Sequence, residues 1–131
     1  MKKELSIQGE NVHSLVISSI VPDGDFFSAE VNLKADWYEA KVAFEFSSDR
    51  LNEFLDEINL MITNNQGKAN FINDDGNFDL SIAINEVTGK LQISGILIKS
   101  MMDESRIEYS MESDYHNLEI LKQNLDRILQ S

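Results

Sequence analysis

Twice along the chain, a strand of alternating polarity ends at a Ser-Asp step and runs into an amphipathic helix. The first copy reads Val42–Phe46, Ser48-Asp49, then a helix carrying Leu51, Phe54, Leu55, Ile58, Met61 and Ile62. The second reads Ile107–Met111, Ser113-Asp114, then a helix carrying Leu118, Leu121, Leu125, Ile128 and Leu129. Apolar residues at spacings of three and four make one helix face that must be buried. The echo therefore commits most of the large apolar side chains to a core. Aligning the two helices on Leu51 and Leu118 requires an offset of two residues from the Ser-Asp alignment, so the duplication is approximate.

The rest of the chain is strand-like. Leu5 to Val21 alternates loosely, with a break near Gly9-Glu10-Asn11, and Pro22-Asp23-Gly24 is a turn. Phe27, Ala29, Val31, Leu33 and Ala35 share one face of a period-2 strand, and Ser28, Glu30, Asn32 and Lys34 share the other. The pattern recurs from Trp37 to Phe46. A helix is expected from about Asp49 to Asn64, capped by Ser47 or Ser48 and stopped at Gly67. Asp75-Gly76 and Thr88-Gly89 mark further turns. Between Leu91 and Lys99 the alternation changes phase around Gly95, which predicts a bulge there.

Strands, helix, strands, helix is an α+β order, not a parallel βαβ order. The expected fold is an antiparallel multi-stranded β-sheet of six to eight strands. Two amphipathic helices pack on one face, in pseudo-duplicated strands-then-helix halves. With 131 residues and no linker-like stretch, residues 1–131 read as a single domain.

Charge narrows the partners. The formal net charge is -12, spread as -4 over residues 1–48, -3 over 49–66 and -5 over 67–131. Lys and Arg form no basic stripe, so nucleic acid and anionic membrane are poor partners, whereas a basic protein is favoured. There is no cysteine, which excludes disulfides, thiolate metal sites and a Cys nucleophile. No apolar run approaches a membrane span, and the lysines of Met1-Lys2-Lys3-Glu4 precede no apolar stretch, so a cytoplasmic setting is expected.

No catalytic constellation emerges, and the chain does not read as an enzyme. His13 and His116 are far apart in sequence, and no nucleophile elbow or phosphate-cradling loop is present. Asn73-Asp74-Asp75-Gly76-Asn77 lacks a calcium loop's oxygen ligands at both ends, where Phe71 and Ile82 stand, and reads as a hairpin tip. No cofactor or metal is implied. The least explained feature is Asp36-Trp37-Tyr38-Glu39, which places the only tryptophan on a charged strand face with Glu39, Lys41 and Glu45. A large aromatic among acids suits a protein-binding anchor. The outer face of the first helix, with Arg50, Glu53, Asp56 and Glu57, extends that surface. Asp36, Trp37, Glu39, Glu45, Glu53, Asp56 and Glu57 are thus the candidate partner-binding residues.

Several segments carry a family likeness. They are Gly24-Asp25-Phe26-Phe27-Ser28-Ala29, Phe44-Glu45-Phe46-Ser47, Leu51-x-x-Phe54 with Leu60, and Gly67-Lys68-Ala69-Asn70-Phe71. Near the end come Gly95-Ile96-Leu97, Ile107-Glu108-Tyr109, Glu112-Ser113-Asp114-Tyr115, Leu118 and Leu125-x-x-Ile128-Leu129. Together, over residues 24–130, they resemble the WapI-like immunity proteins of bacterial polymorphic toxin systems. The resemblance implies a cytoplasmic antidote that occludes a cognate toxin domain, often a nuclease, without catalysis. The alternative is a structural or adaptor domain, or a homodimer through a sheet edge or Trp37.

Overall fold

A computed structural model describes residues 3–10, 13–35, 38–100 and 105–129. The first half is β1 (Lys3–Gln8), β2 (Ser14–Asp23), β3 (Phe26–Lys34), β4 (Glu39–Ser47) and α1 (Ser48–Asn64). The second half repeats it: β5 (Lys68–Ile72), β6 (Phe78–Ile84), β7 (Leu91–Ser100), β8 (Ser105–Ser113) and α2 (His116–Leu129). The α+β class and the strands-then-helix duplication are as expected. The eight strands do not form one continuous sheet, however. They make two antiparallel four-stranded meanders, β1-β2-β3-β4 and β5-β6-β7-β8. After α1 the chain opens a second sheet, and the β4 edge is met by the Asn73 and Asn77 side chains rather than by a fifth strand.

Each helix serves the other half. α1 packs on β5 and on α2, and α2 packs on β1. The buried side chains of both sheets and both helices form one contiguous core. Leu51, Phe54, Ile58 and Met61 enter it from α1, and Leu118, Leu121, Leu125 and Ile128 from α2. Aromatic rings bridge the sheets. Phe44 of β4 meets Phe78 of β6 at 4.7 Å, and Phe71 of β5 meets both Phe46 and Phe54 at 5.6 Å. Such pairs contribute about 0.5–1.5 kcal/mol each beyond the area they bury.

The serines at the two strand-to-helix junctions do different work, and in the first it is Ser47, just before the Ser48-Asp49 step, that acts. Ser47 caps α1, its hydroxyl accepting from Arg50 N at 3.3 Å. Ser113 is buried, and it donates to the Gln8 carbonyl of β1 while accepting from Asn117 Nδ2 at 2.7 Å. It is a strut between sheets rather than a second cap. α1 starts directly after β4, whereas Asp114 and Tyr115 separate β8 from α2, and this is the two-residue offset seen in the sequence. The left-handed stop of α1 is Asn65, at φ 55°, with Gly67 following at φ 103°.

Two irregularities were not placed correctly by the alternation. Gly95 is not a bulge: β6–β7 and β7–β8 run in register through it, and Leu91, Ile93 and Leu97 stay buried on its face. The glycine is required because the strand beside it comes close. A Cβ at Gly95 would lie 1.9 Å from the Asp79 carbonyl oxygen and 2.5 Å from the Tyr109 hydroxyl. That hydroxyl donates to the Asp79 carbonyl at 2.7 Å. Register shifts sit instead at Lys99 in β7, between the pairs Ile98↔Arg106 and Ser100↔Ser105, and in β2, where Ser19 adopts φ 55° between the pairs Ser18↔Glu30 and Val21↔Ser28. The extra residue returns Ile20 to the core.

Candidate partner-binding surface

Alternation sets the polarity of β4. Val42, Phe44 and Phe46 are buried, so Glu39, Lys41, Ala43 and Glu45 are exposed on the opposite face. Glu39 and Glu45 share that face but lie six positions apart, roughly 20 Å along an extended strand. Glu39 is engaged: it accepts from Asn32 Nδ2 at 3.2 Å and pairs with Lys34 Nζ at 3.6 Å. The Asn32 amide, with Lys34 and Lys41, holds its carboxyl below the usual carboxylate range. Glu45 is exposed where β4 turns into α1.

On α1, Glu53 and Asp56 are exposed, while Glu57 is half-buried and accepts from Asn70 N of β5 at 3.2 Å. Glu57 therefore satisfies a backbone donor on the edge of the second sheet and holds the helix there. Asp36 and Trp37, the acid and the aromatic anchor of the expected surface, lie outside the described residues. Glu45 and Glu53 thus flank the junction of β4 and α1, and Glu39 stands at the other end of β4.

The β4–α1 junction holds residues the sequence reading did not single out. A groove of about 600 Å³ is lined by Pro22, Gly24, Asp25, Phe26 and Phe27 from the β2–β3 turn and by Ser47, Ser48 and Asp49. Phe26 is 43% exposed, while Phe27 packs inward and stacks on Phe46 at 5.3 Å. The period-2 pattern puts Phe27 on the apolar face with Ala29, Val31 and Leu33, and the structure turns it inward and leaves Phe26 out. Asp49 lies one helical turn before Glu53. The nearest cation of α1, Arg50, pairs with Asp74 Oδ1 at 3.2 Å. An acidic surface with an exposed ring results.

The turn that resembled a calcium loop has a structural role. Asn73 is 2% exposed; its Nδ2 donates to the Glu45 carbonyl at 2.9 Å and to Asn77 Oδ1 at 2.6 Å, and its Oδ1 accepts from Phe78 N at 3.0 Å. Asn77 Nδ2 reaches the Ala43 carbonyl at 3.1 Å. The β5–β6 turn is thereby stitched to the β4 edge. Among the described residues, no group of three or more His, Cys, Asp or Glu side chains could hold a metal ion. His116 is exposed in the first turn of α2, and His13 Nδ1 lies 3.2 Å from the Glu10 carbonyl. Among the described residues, no helix is long and apolar enough to cross a membrane.

The fold recurs in distant solved structures. One, titled crystal structures of Trypanosoma brucei MRP1/MRP2, superposes with a TM-score of 0.56 at 9% identity, covering 98% of this chain and 83% of that one. Another, a guide-RNA-binding protein complex bound to a gRNA, gives 0.60 at 12% identity, covering 99% and 91%. At such identities the likeness is one of fold alone. No curated protein sequence matches the chain significantly. The sequence profile of the immunity protein WapI-like family matches residues 4–131. The chain belongs to that family.

Proposed function

We propose that this member of the WapI-like immunity family neutralises a cognate toxin domain in the cytoplasm by binding it, without catalysis. The family match over residues 4–131 carries the reading. The toxin is a basic domain of nuclease type, and the acidic coat is its counterpart. A surface built to hold phosphate is positively charged, so a chain of net charge -12 is drawn to it and can cover it.

The contact is centred where β4 meets α1. Glu45, Asp49 and Glu53 supply charge there, and Phe26 supplies an apolar anchor of the kind that dominates interface energetics. Asp56 lies further along α1, and Glu39 stands at the other end of β4. Glu57 contributes by fixing α1 in place.

Co-expression with the toxin domain encoded beside this gene is the test. The expected result is a stoichiometric complex that survives purification. Absence of a complex at micromolar concentrations would refute the reading.

A further inference from the structure

We propose that the cleft between β4 and the adjoining ends of β7 and β8 accepts an extended acidic peptide segment of a partner, added as a strand to the open half of the β4 edge. The cleft has a volume of about 450 Å³ and is lined by Glu39, Ala40, Lys41 and Val42 on one wall and by Leu97, Lys99, Arg106 and Ile107 on the other. That volume lies within the ~300–1,000 Å³ of ordinary ligand sites.

The edge itself is the first argument. β4 is the last strand of its sheet. The Ala43 and Glu45 carbonyls point away from β3, since they accept from Asn77 and Asn73. Backbone groups alternate sides along a strand, so those of Lys41 and Glu39 point the same way. The asparagine clamp covers the C-terminal half of this edge. Among the described residues nothing hydrogen-bonds the N-terminal half. An uncovered strand edge is a template for another strand.

Charge is the second argument, and it is independent. In a chain of net charge -12, Lys41, Lys99 and Arg106 converge on one cleft. Arg106 Nη2 pairs with Glu108 at 3.0 Å. Lys41 and Lys99 have no carboxylate partner within ion-pair distance among the described residues, and Glu39 is already held by Asn32 and Lys34. The same two walls also carry apolar members, Val42, Leu97 and Ile107. A strand whose alternate side chains are acidic and aliphatic meets both features.

A polynucleotide fits less well. Among the described residues no aromatic side chain lines the cleft for base stacking, and the net charge repels a polyanion. The inference does not depend on the toxin reading, because it needs the basic cleft and not the acidic surface.

The test is fluorescence anisotropy with a labelled (Val-Glu)4 peptide at low salt. Saturable binding is expected, weakened at least tenfold by the double substitution Lys41→Glu/Lys99→Glu, with the circular dichroism spectrum unchanged. Methylating alternate peptide nitrogens of the probe should weaken it comparably, because edge pairing uses those donors. Equal binding of a (Val-Lys)4 peptide, or indifference to either change, overturns the proposal. So does tighter binding of a single-stranded oligonucleotide in competition, or light scattering that shows a second copy of the chain occupying the edge.

Discussion

Each half of the molecule clamps the edge strand of the other, and the two clamps are made of different chemistry. The β5–β6 turn grips β4 with the side chains of Asn73 and Asn77, and Asn73 is buried. The β1–β2 turn grips β8 mainly with backbone: Glu10 N donates to the Glu112 carbonyl at 2.9 Å, and the Gln8 carbonyl accepts from Ser113 Oγ and, at 3.2 Å, from Asn117 Nδ2. An ion pair between Glu10 and Lys90 adds to it at the surface. At Gly9 the turn approaches β8 closely: a Cβ would sit 2.8 Å from Met111 Sδ and 3.2 Å from the Glu112 carbonyl oxygen. A side-chain clamp can be deleted by one substitution, whereas a backbone clamp cannot. The same architecture therefore has unequal sensitivities at equivalent places.

The largest effect should come from Asn73→Ala. It strips a buried network and leaves Phe78 N and the Glu45 carbonyl without their partner, so a loss of about 3 kcal/mol is expected by chemical denaturation. Ser113→Ala should cost about 1 kcal/mol, because Asn117 still reaches the Gln8 carbonyl. If the two losses prove equal, the contrast between the clamps is wrong.

Much of this was readable in the sequence, and what was not readable has physical causes. The strand faces, both helix stripes and the Ser47 cap follow from local period and local hydrogen bonding. Whether eight strands form one sheet or two depends on where a helix leads the chain, which period does not encode. The polar run Asn73–Asn77 was visible as a turn, but its partners at Ala43 and Glu45 lie about thirty residues away. Gly95 looked like a phase change because a glycine on the inward face carries no apolar signal. Of the candidate residues, Glu39, Glu45, Glu53 and Asp56 are exposed, while Glu57 is half-buried against the β5 edge. Phe26 was missed although the alternation that turns Phe27 inward points it outward, because a single exposed ring beside a turn carries no periodic signal of its own.

The sheets also differ internally, which gives two smaller tests. In the second sheet, burial, with a contribution from Asp79, pushes the Tyr109 phenol up. A raised folded-state pKa means this stability is fully present below the unfolded value near pH 10. It is lost as pH rises through the folded one. Between those limits the fold should weaken by about 1.4 kcal/mol per pH unit, and Tyr109→Phe should lack that dependence. Asp79 is raised by partial burial, so its ionised form disfavours the fold. Asp79→Asn should be better tolerated at pH 7 than at pH 3, where the carboxyl is protonated anyway.

In the first sheet, Ser19 holds a left-handed conformation. Ser19→Gly should leave the fold intact and change stability by only about 0.5 kcal/mol in its favour. A large loss there would mean that the serine hydroxyl, not the backbone conformation, maintains the bulge.

The central claim is that the acidic end of the molecule, where β4 meets α1, engages a basic toxin domain. Isothermal titration of the chain against the toxin domain encoded beside its gene tests it most directly, comparing the wild type with Glu45→Lys/Asp49→Lys/Glu53→Lys at two salt concentrations. The account predicts one-to-one binding that weakens with salt and falls at least a hundredfold in the triple variant. Binding that ignores both the salt and the three substitutions would contradict it.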